Sequence, residues 1–323
     1  MDDFYPIYMY TPMSEMHNEM IPVTMGCSYQ RCLYCDLNYR QKFKIFPIEE
    51  IRDYILKHKC ELDKINRKPT KFTLLEGNPL CIKTDYLLEI FKILNVNFDV
   101  DYISMFARAN DVLNKTDEEL LKLKDMGMDR LCLGLESGSD LVLDFQKKGH
   151  SVSDSIEACH KLDRLGISYS TYFMLGLGGK EFTEDHRTKT PILINQIKPF
   201  EIIFVTTVIF KRAPLKKLVQ DQSFKRLSIR ESLEEEREIL KNINIDTIII
   251  ASHKTNALPL LAKFPEHKDL CIEKIDKYLE NSDKILQANE RNKWKVWGKE
   301  WCKALEYICT YHFAEVSAII ATF

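Results

Sequence analysis

Residues 20–35 read Met-Ile-Pro-Val-Thr-Met-Gly-Cys27-Ser28-Tyr29-Gln30-Arg31-Cys32-Leu33-Tyr34-Cys35. An apolar run of strand length, Met20–Met25, leads directly into a loop with three thiols in nine residues. Thiolates are soft ligands that suit zinc, copper(I) or iron–sulfur clusters. A structural zinc site is closed by four ligands, and no fourth Cys or His follows nearby. Three local ligands therefore predict a cluster with one open iron. Three other readings stand beside this one: zinc with a distant fourth ligand, a thioredoxin-like pair from Cys32 and Cys35, and three unrelated buried cysteines.

Outward from this loop, short apolar runs alternate with amphipathic stretches of helical length. Strands are expected at Met20–Met25, Lys71–Leu75, Tyr102–Phe106, Asp129–Leu135, Ile167–Leu175, Ile202–Phe210 and Thr247–Ser252. Helices are expected at Pro47–His58, at Thr84–Leu94 with Thr84 as N-cap, at Thr116–Asp125 with TDEE as its capped acidic start, at Ser153–Leu165 stopping at Gly166, at Thr183–Ile197 and at Ser228–Asn242. Six or seven β-α units in series predict an α/β fold with a parallel sheet and helical crossovers. Polar and Gly-rich residues recur just after the strands: EGNP at 76–79, ARAN at 107–110, ESGSD at 136–140, GLGG at 176–179 and SHKTN at 252–256. A barrel builds its site at those positions, so a (β/α) barrel, open or closed, is the expected architecture. Residues 1–258 form the expected core and residues 259–323 a helical extension, in which Trp294, Trp297 and Trp301 make one stripe.

The 323 residues carry a net charge of −2, with 45% apolar and 29% charged residues. That is the balance of an ordinary globular protein, and it argues against a nucleic-acid partner. The basic stretch Lys211–Arg230 reads as a solvated face, with a phosphate-contacting strip as the alternative. The start, MDDFYPIYMY, lacks the basic and apolar segments of a secretory signal. No apolar run approaches the ~20 residues that span a bilayer. A cytoplasmic protein with reduced cysteines is expected. The seven cysteines outside the loop are scattered and read as buried apolar residues.

The loop resembles that of the radical S-adenosylmethionine (SAM) superfamily, C-x3-C-x2-C with an aromatic residue before the third cysteine, a position held here by Tyr34. The first spacing departs from it: Cys27 and Cys32 are separated by four residues. Glu76-Gly77-Asn78-Pro79 is similar to the family's GGEP motif, which contacts the SAM amino group. Asn78 replaces the acidic residue, which implies contact through backbone carbonyls. Gly134-Leu135-Glu136-Ser137-Gly138 resembles a segment whose acidic residue, here Glu136, binds the SAM ribose or amino group. Gly176-Leu177-Gly178-Gly179 resembles a turn near the adenine. The likeness covers roughly residues 20–260. It implies a partial TIM barrel, a 4Fe–4S cluster on Cys27, Cys32 and Cys35, and SAM held by Tyr34, Glu76, Gly77, Asn78, Pro79, Arg108, Glu136, Ser137 and Gly176. It also implies an electron donor such as flavodoxin or ferredoxin, and a 5′-deoxyadenosyl radical that takes hydrogen from a substrate.

Candidate substrate residues lie at strand ends: Asn110, Tyr172, His253 (also a candidate catalytic residue), Thr255 and Asn256. Tyr169 and Tyr172, an odd number of residues apart, should face different sides of their strand. The whole-chain pattern, carried by TLLEGNPLCIKTDYLLEI and ASHKTNALPL, resembles the branch described as oxygen-independent coproporphyrinogen oxidase-like. Within it the likeness is to lyases that cleave queuine to 7-aminomethyl-7-deazaguanine. Porphyrinogen oxidative decarboxylation and a non-catalytic iron–sulfur protein are the alternatives.

Overall fold

The computed structural model describes residues 12–37 and 42–280. One eight-stranded sheet dominates, in the order β1 (Glu19–Pro22), β4 (Lys71–Leu75), β5 (Tyr102–Ala107), β6 (Met128–Glu136), β7 (Ser168–Leu175), β8 (Glu201–Thr206), β9 (Thr247–Ile250), β10 (Leu261–Phe264). Every neighbouring pair from β1 to β9 is parallel, and β10 is antiparallel to β9. Among the described residues β1 and β10 are the two edges, so this is an open, partial barrel. Its strands are apolar on both faces, as parallel strands under helices must be: Leu131, Cys132 and Leu133 are consecutive and all wholly buried.

The crossovers are α1 (Ile48–Lys64), α2 (Thr84–Asn97), α3 (Ala109–Asn114), α4 (Asp117–Asp125), α5 (Asp140–Phe145), α6 (Val152–Leu165), α7 (Gly179–Ile194), α8 (Leu215–Gln220) and α9 (Ile229–Lys241); α10 (Lys268–Glu280) packs on α9. Thr116 and Glu119 form a capping box at α4, as TDEE predicts. Ser151 caps α6, which ends at Gly166 in the left-handed region. Thr84 is not the N-cap of α2; it is the first helical residue, and its hydroxyl donates to Glu119 Oε1 at 2.7 Å and accepts from Lys115 Nζ at 3.0 Å. Those tertiary partners take the oxygen that capping requires.

Three further differences from the sequence reading bear on the site. The first strand breaks at Val23: Thr24–Met25 (β2) leaves the main sheet and pairs antiparallel with Lys44–Ile45 (β3). The β8 segment stops at Thr206, because its neighbour β9 ends at Ile250 and Asn256 Oδ1 accepts from the Thr206 N–H at 2.8 Å. The expected core boundary at residue 258 falls before β10, which belongs to the same sheet; four residues are too few to show a period of two. The tryptophan stripe, Cys302 and Cys309 lie outside the described residues.

The barrel floor is closed by a polar plug at the N-terminal ends of the strands. The short 3-10 helix Met13–Glu15 brings Glu15 under Tyr102, whose hydroxyl donates to Glu15 Oε1 at 2.5 Å. Arg130 lies 3.6 Å from Glu15 and 3.8 Å from Glu201. The opposite, C-terminal end of the strands carries the cysteine loop.

Candidate functional site

The β2–β3 ladder pins both ends of the cysteine loop. Cys32 is buried, and Cys27 and Cys35 are half-buried. Burial pushes the Cys35 thiol up to about 12, with the neighbouring Cys32 adding to it; burial raises Cys32 as well, and Cys27 contributes. The thiols thus crowd one another in a dry loop, which disfavours three thiolates unless positive charge is bound between them. Among the described residues no three His, Cys, Asp or Glu side chains converge as ligands of a single ion.

EGNP forms the wall beside this loop. Glu76 Oε2 accepts from the Gly26 N–H at 3.0 Å. Gly77 is a close approach: a Cβ there would meet Leu37 Cδ2 at 2.6 Å and Cys27 Cβ at 3.0 Å, so the backbone reaches the loop only without a side chain. Pro79 starts a 3-10 turn and is buried. Asn78 is wholly buried, and its amide donates to Ser28 Oγ at 2.9 Å and to Asp111 Oδ2 at 2.8 Å. It ties the loop to α3, a strut that the motif comparison did not foresee. Its Oδ1, like that of Asn110, is buried without a hydrogen-bond partner among the described residues. Two such orphaned acceptors suit a ligand carrying an ammonium group, as SAM does. Asn78→Ala is expected to lower retained iron or activity by about 10–100-fold, the usual cost of losing an outer support of a metal site. Iron content after gel filtration measures it, and full retention would refute the strut.

A second wall comes from Gln146–His150, a segment that sequence reasoning passed over. The Leu33 N–H donates to Gln146 O at 3.0 Å. The Arg108 guanidinium lies 3.8 Å from the Tyr29 ring centroid and donates to Lys148 O at 3.0 Å. Lys148 is buried, with Nζ 2.8 Å from Glu136 Oε1 and 3.2 Å from the Tyr34 hydroxyl. A register shift between Gly134 and Glu136 marks a bulge, and Glu136 has φ +70°; such bulges re-aim side chains. Gly134 makes room for the pair, since its Cβ would meet Glu136 Oε1 at 2.6 Å and Lys148 Nζ at 3.1 Å. Burial pulls the Lys148 ammonium down, but Glu136 and then Cys32 more than reverse this, and its pKa is raised. Burial, then the charges of Lys148 and Arg108, push His150 down to about 3, so it is neutral. A lysine in a turn reads as solvated; only its distant partners show otherwise.

The remaining expected residues divide. The Ser137 hydroxyl pairs with His186 Nδ1 at 2.7 Å and accepts from Ser139 N at 3.0 Å. These bonds lock the turn that shapes the motif. Tyr169 and Tyr172 do face opposite sides. Tyr169 hydrogen-bonds Lys198 N and Asp163, whereas Tyr172 accepts from Met13 N at 3.0 Å inside the barrel. That bond ties the Tyr172 hydroxyl to the segment at the barrel floor. Asn256, also expected to touch substrate, donates to Phe204 O and Ala251 O and accepts from Thr206 N; it splices β8 to β9. His253 is paired with Thr255, and burial, then Lys254, pushes it down to about 4.

A cavity of about 300 Å³ opens at the ends of β7, β8 and β9. Gly176, Thr206, Thr207, Phe224, Ser232 and Glu236 line it. Gly176 N donates to Glu235 Oε1 at 2.5 Å. Phe224 shares an apolar cluster with Cys32, Tyr34 and Leu177, with Ile209 packed on it, and Leu215 N donates to Leu33 O at 2.9 Å. The cavity is therefore next to the cysteine loop. Most of the basic side chains of Lys211–Arg230 are exposed, which agrees with a solvated face. Of the scattered cysteines, Cys132, Cys159 and Cys271 are buried, Cys81 is half-buried and Cys60 is exposed.

Among the described residues no helix is long and apolar enough to cross a membrane. The family model described as the radical SAM superfamily matches residues 21–188, just over half of the chain. The tRNA uridine(34) acetyltransferase of Methanocaldococcus infernus is 25% identical over 169 residues, covering 48% of this chain and 32% of that protein. The chain spans about a third of the length of the curated relatives it matches. The solved structure of archaeal Elp3 from Methanocaldococcus infernus aligns with a TM-score of 0.50 at 16% identity, over 82% of this chain and 63% of that one. Coproporphyrinogen III oxidase from Escherichia coli, itself described as a radical SAM enzyme, aligns with a TM-score of 0.50 at 15% identity, over 69% and 51%. At those identities the likeness is one of fold. With the family match, the cysteine loop and the partial barrel in agreement, the chain belongs to the radical SAM superfamily, is an enzyme of that kind, and has a 4Fe–4S cluster and SAM as its cofactors.

Proposed function

We propose that this chain is a lyase acting on a small molecule built on a flat fused heterocycle, with queuine, cleaved to 7-aminomethyl-7-deazaguanine, as its substrate. One observation carries the reading: the cavity beside the cysteine loop has apolar walls, a few polar atoms and a volume of about 300 Å³, at the lower end for small-ligand sites. A tetrapyrrole with its ring of carboxylate arms is too large for it, which disfavours porphyrinogen decarboxylation. The relatives named as tRNA acetyltransferases are matched over about a third of their length, so their substrate is not carried over, and the net charge of −2 offers no polyanion footprint.

The cluster, when bound, supplies the electron that cleaves SAM to the 5′-deoxyadenosyl radical. The protein's part is orientation and exclusion of water. Lys148 holds Glu136 and Tyr34 in one geometry; Arg108 clamps Tyr29 over the loop. Phe224, Leu177 and Leu215 keep the loop's inner side dry. A flavodoxin or ferredoxin is the proposed reductant. Anaerobic, reconstituted protein with SAM and reductant should form 5′-deoxyadenosine together with 7-aminomethyl-7-deazaguanine when queuine is present. No 5′-deoxyadenosine above background with queuine, or its formation only with a porphyrinogen, would overturn the lyase reading. Absence of SAM cleavage under every condition would leave a binding protein.

A further inference from the structure

Helix α9 contains Glu234-Glu235-Glu236-Arg237, which reads as a solvated charged face. The structure instead buries two of its three glutamates, Glu235 and Glu236, each 1% exposed. Glu235 is used by the fold, accepting from Gly176 N and from Thr183 Oγ1 at 2.6 Å. Glu236 is different. It lines the cavity, and its Oε1 is buried without a hydrogen-bond partner among the described residues. At the end of β8, lining the same cavity, Thr207 Oγ1 is also buried without a partner among the described residues. Two orphaned polar groups from separate elements therefore meet one cavity. Buried polar atoms are rarely left unpaired, and leaving one so costs about 1–3 kcal/mol. Two around one cavity mark a place where a ligand supplies the partners.

The chemistry of that ligand follows from the protonation of Glu236. Burial pushes its carboxyl up to about 8, and Glu235 adds to this. Arg226 and Lys254 line the same cavity, while Cys271, on α10, feels the Glu236 charge; none of these offsets the burial. Near neutral pH the group is mainly a neutral acid, with one O–H donor and one carbonyl acceptor side by side. This pair is complementary to an amidine or lactam edge, where a ring nitrogen and an exocyclic group present the matching acceptor and donor. The walls, Leu175, Val208, Ile209, Phe224 and Leu227, are apolar and accept a flat ring.

We propose that Glu236 reads the hydrogen-bonding edge of a purine-type base in this cavity, with the Thr207 hydroxyl as its second polar contact. The inference rests on the small-heterocycle reading above and adds the recognition residue. Two molecules of that reaction carry such an edge: the adenine of SAM and the deazapurine of the substrate. The cavity sits beside the cysteine loop, where either is within reach.

Equilibrium binding to the anaerobically reconstituted holoprotein tests this without turnover. The probes are S-adenosylhomocysteine, for the adenine, and queuine, for the deazapurine. Glu236→Leu removes both hydrogen-bonding functions and is expected to weaken one probe by about tenfold, the equivalent of one hydrogen bond made in a dry site. Glu236→Gln keeps a donor and an acceptor side by side and should bind within about threefold of the parent. Thr207→Val should weaken the same probe by about three- to tenfold. A loss confined to S-adenosylhomocysteine assigns the cavity to the adenine; a loss confined to queuine assigns it to the substrate. Binding of both probes within about twofold in a folded Glu236→Leu protein, or equal losses in the Gln and Leu variants at matched melting temperature, would overturn the proposal. Should Glu236→Leu fail to fold, the Gln and Thr207→Val variants decide it alone: unchanged binding in Thr207→Val is then the overturning result. Failure of queuine turnover with a tenfold loss of S-adenosylhomocysteine binding would sink the lyase reading and leave this proposal standing.

Discussion

Alanine at Cys32 is expected to give a folded protein that binds little iron and no longer cleaves SAM. The thiol is buried among Tyr34, Val142 and Leu177, so truncation removes one sulfur from an apolar cluster and costs about 1–3 kcal/mol, the usual range for a single buried change. The loss of function has a different origin. A cluster with one open iron needs three thiolates, and two cannot hold it in place against water and oxygen. Visible cluster absorption and iron content should fall together, and 5′-deoxyadenosine should drop to background. The control is another buried thiol. Cys159 is wholly buried and its thiol is held up by burial, near Asp163 and Tyr169, far in sequence from the loop. Cys159→Ala should lose comparable stability and keep iron and cleavage. If Cys32→Ala retained its iron, or Cys159→Ala lost as much of it, the assignment of the loop as cluster ligand would be wrong.

That contrast also measures how far the sequence could be read. Three thiols in nine residues need no tertiary information, because their spacing alone brings them together. Strand-end motifs such as EGNP and GLESG were legible for the same reason: a parallel β-α repeat carries every strand's C-terminal end to one side, so order along the chain maps onto position around the mouth. Charged side chains whose partners are distant were not legible. Lys148 sits in a turn and Glu236 in a run of three glutamates, both patterns of solvated surface, and both side chains are buried. The partners of Lys148 come from β6 and the cysteine loop, and Glu236 faces a cavity shared with the end of β8; no local pattern encodes such meetings. The hydrogen bonds made by Ser137 and Asn256 were illegible for a related reason. A polar residue beside a motif serves the ligand or the turn that shapes the motif, and only the hydrogen-bond partner distinguishes these. His186 takes Ser137, and the carbonyls of Phe204 and Ala251 take Asn256.

The largest expected loss of stability lies at the other end of the barrel. Arg130, on β6, stands between Glu15 and Glu201, with its guanidinium 3.9 Å from the Phe200 ring centroid. Both carboxylates are about 3% exposed, and Ser170 and Tyr102 complete their hydrogen bonds at 2.8 and 2.5 Å. Arg130→Met keeps length and apolar contact but leaves two carboxyls facing each other without the cation. Breaking a buried pair by removing one partner costs about 3–5 kcal/mol, or roughly 10 °C in melting temperature for a chain of this size. The loss should depend on pH in a defined direction. Burial, as the leading cause, holds the Glu15 pKa above the ordinary carboxylate value even with Arg130 present. A raised carboxyl penalises the fold above its unfolded pKa, where the unfolded chain is ionised, and stops doing so below it, where both states are protonated. Removing Arg130 enlarges that penalty. Chemical denaturation should therefore show the full loss near neutral pH and a smaller one as the pH falls toward 4.5, the ordinary value for this carboxyl. The double variant Arg130→Met with Glu201→Gln should recover much of the loss, because a neutral amide no longer opposes Glu15. A loss under about 1 kcal/mol at neutral pH, or one that grows in acid, would mean that water reaches the floor and that the plug is not what closes the barrel.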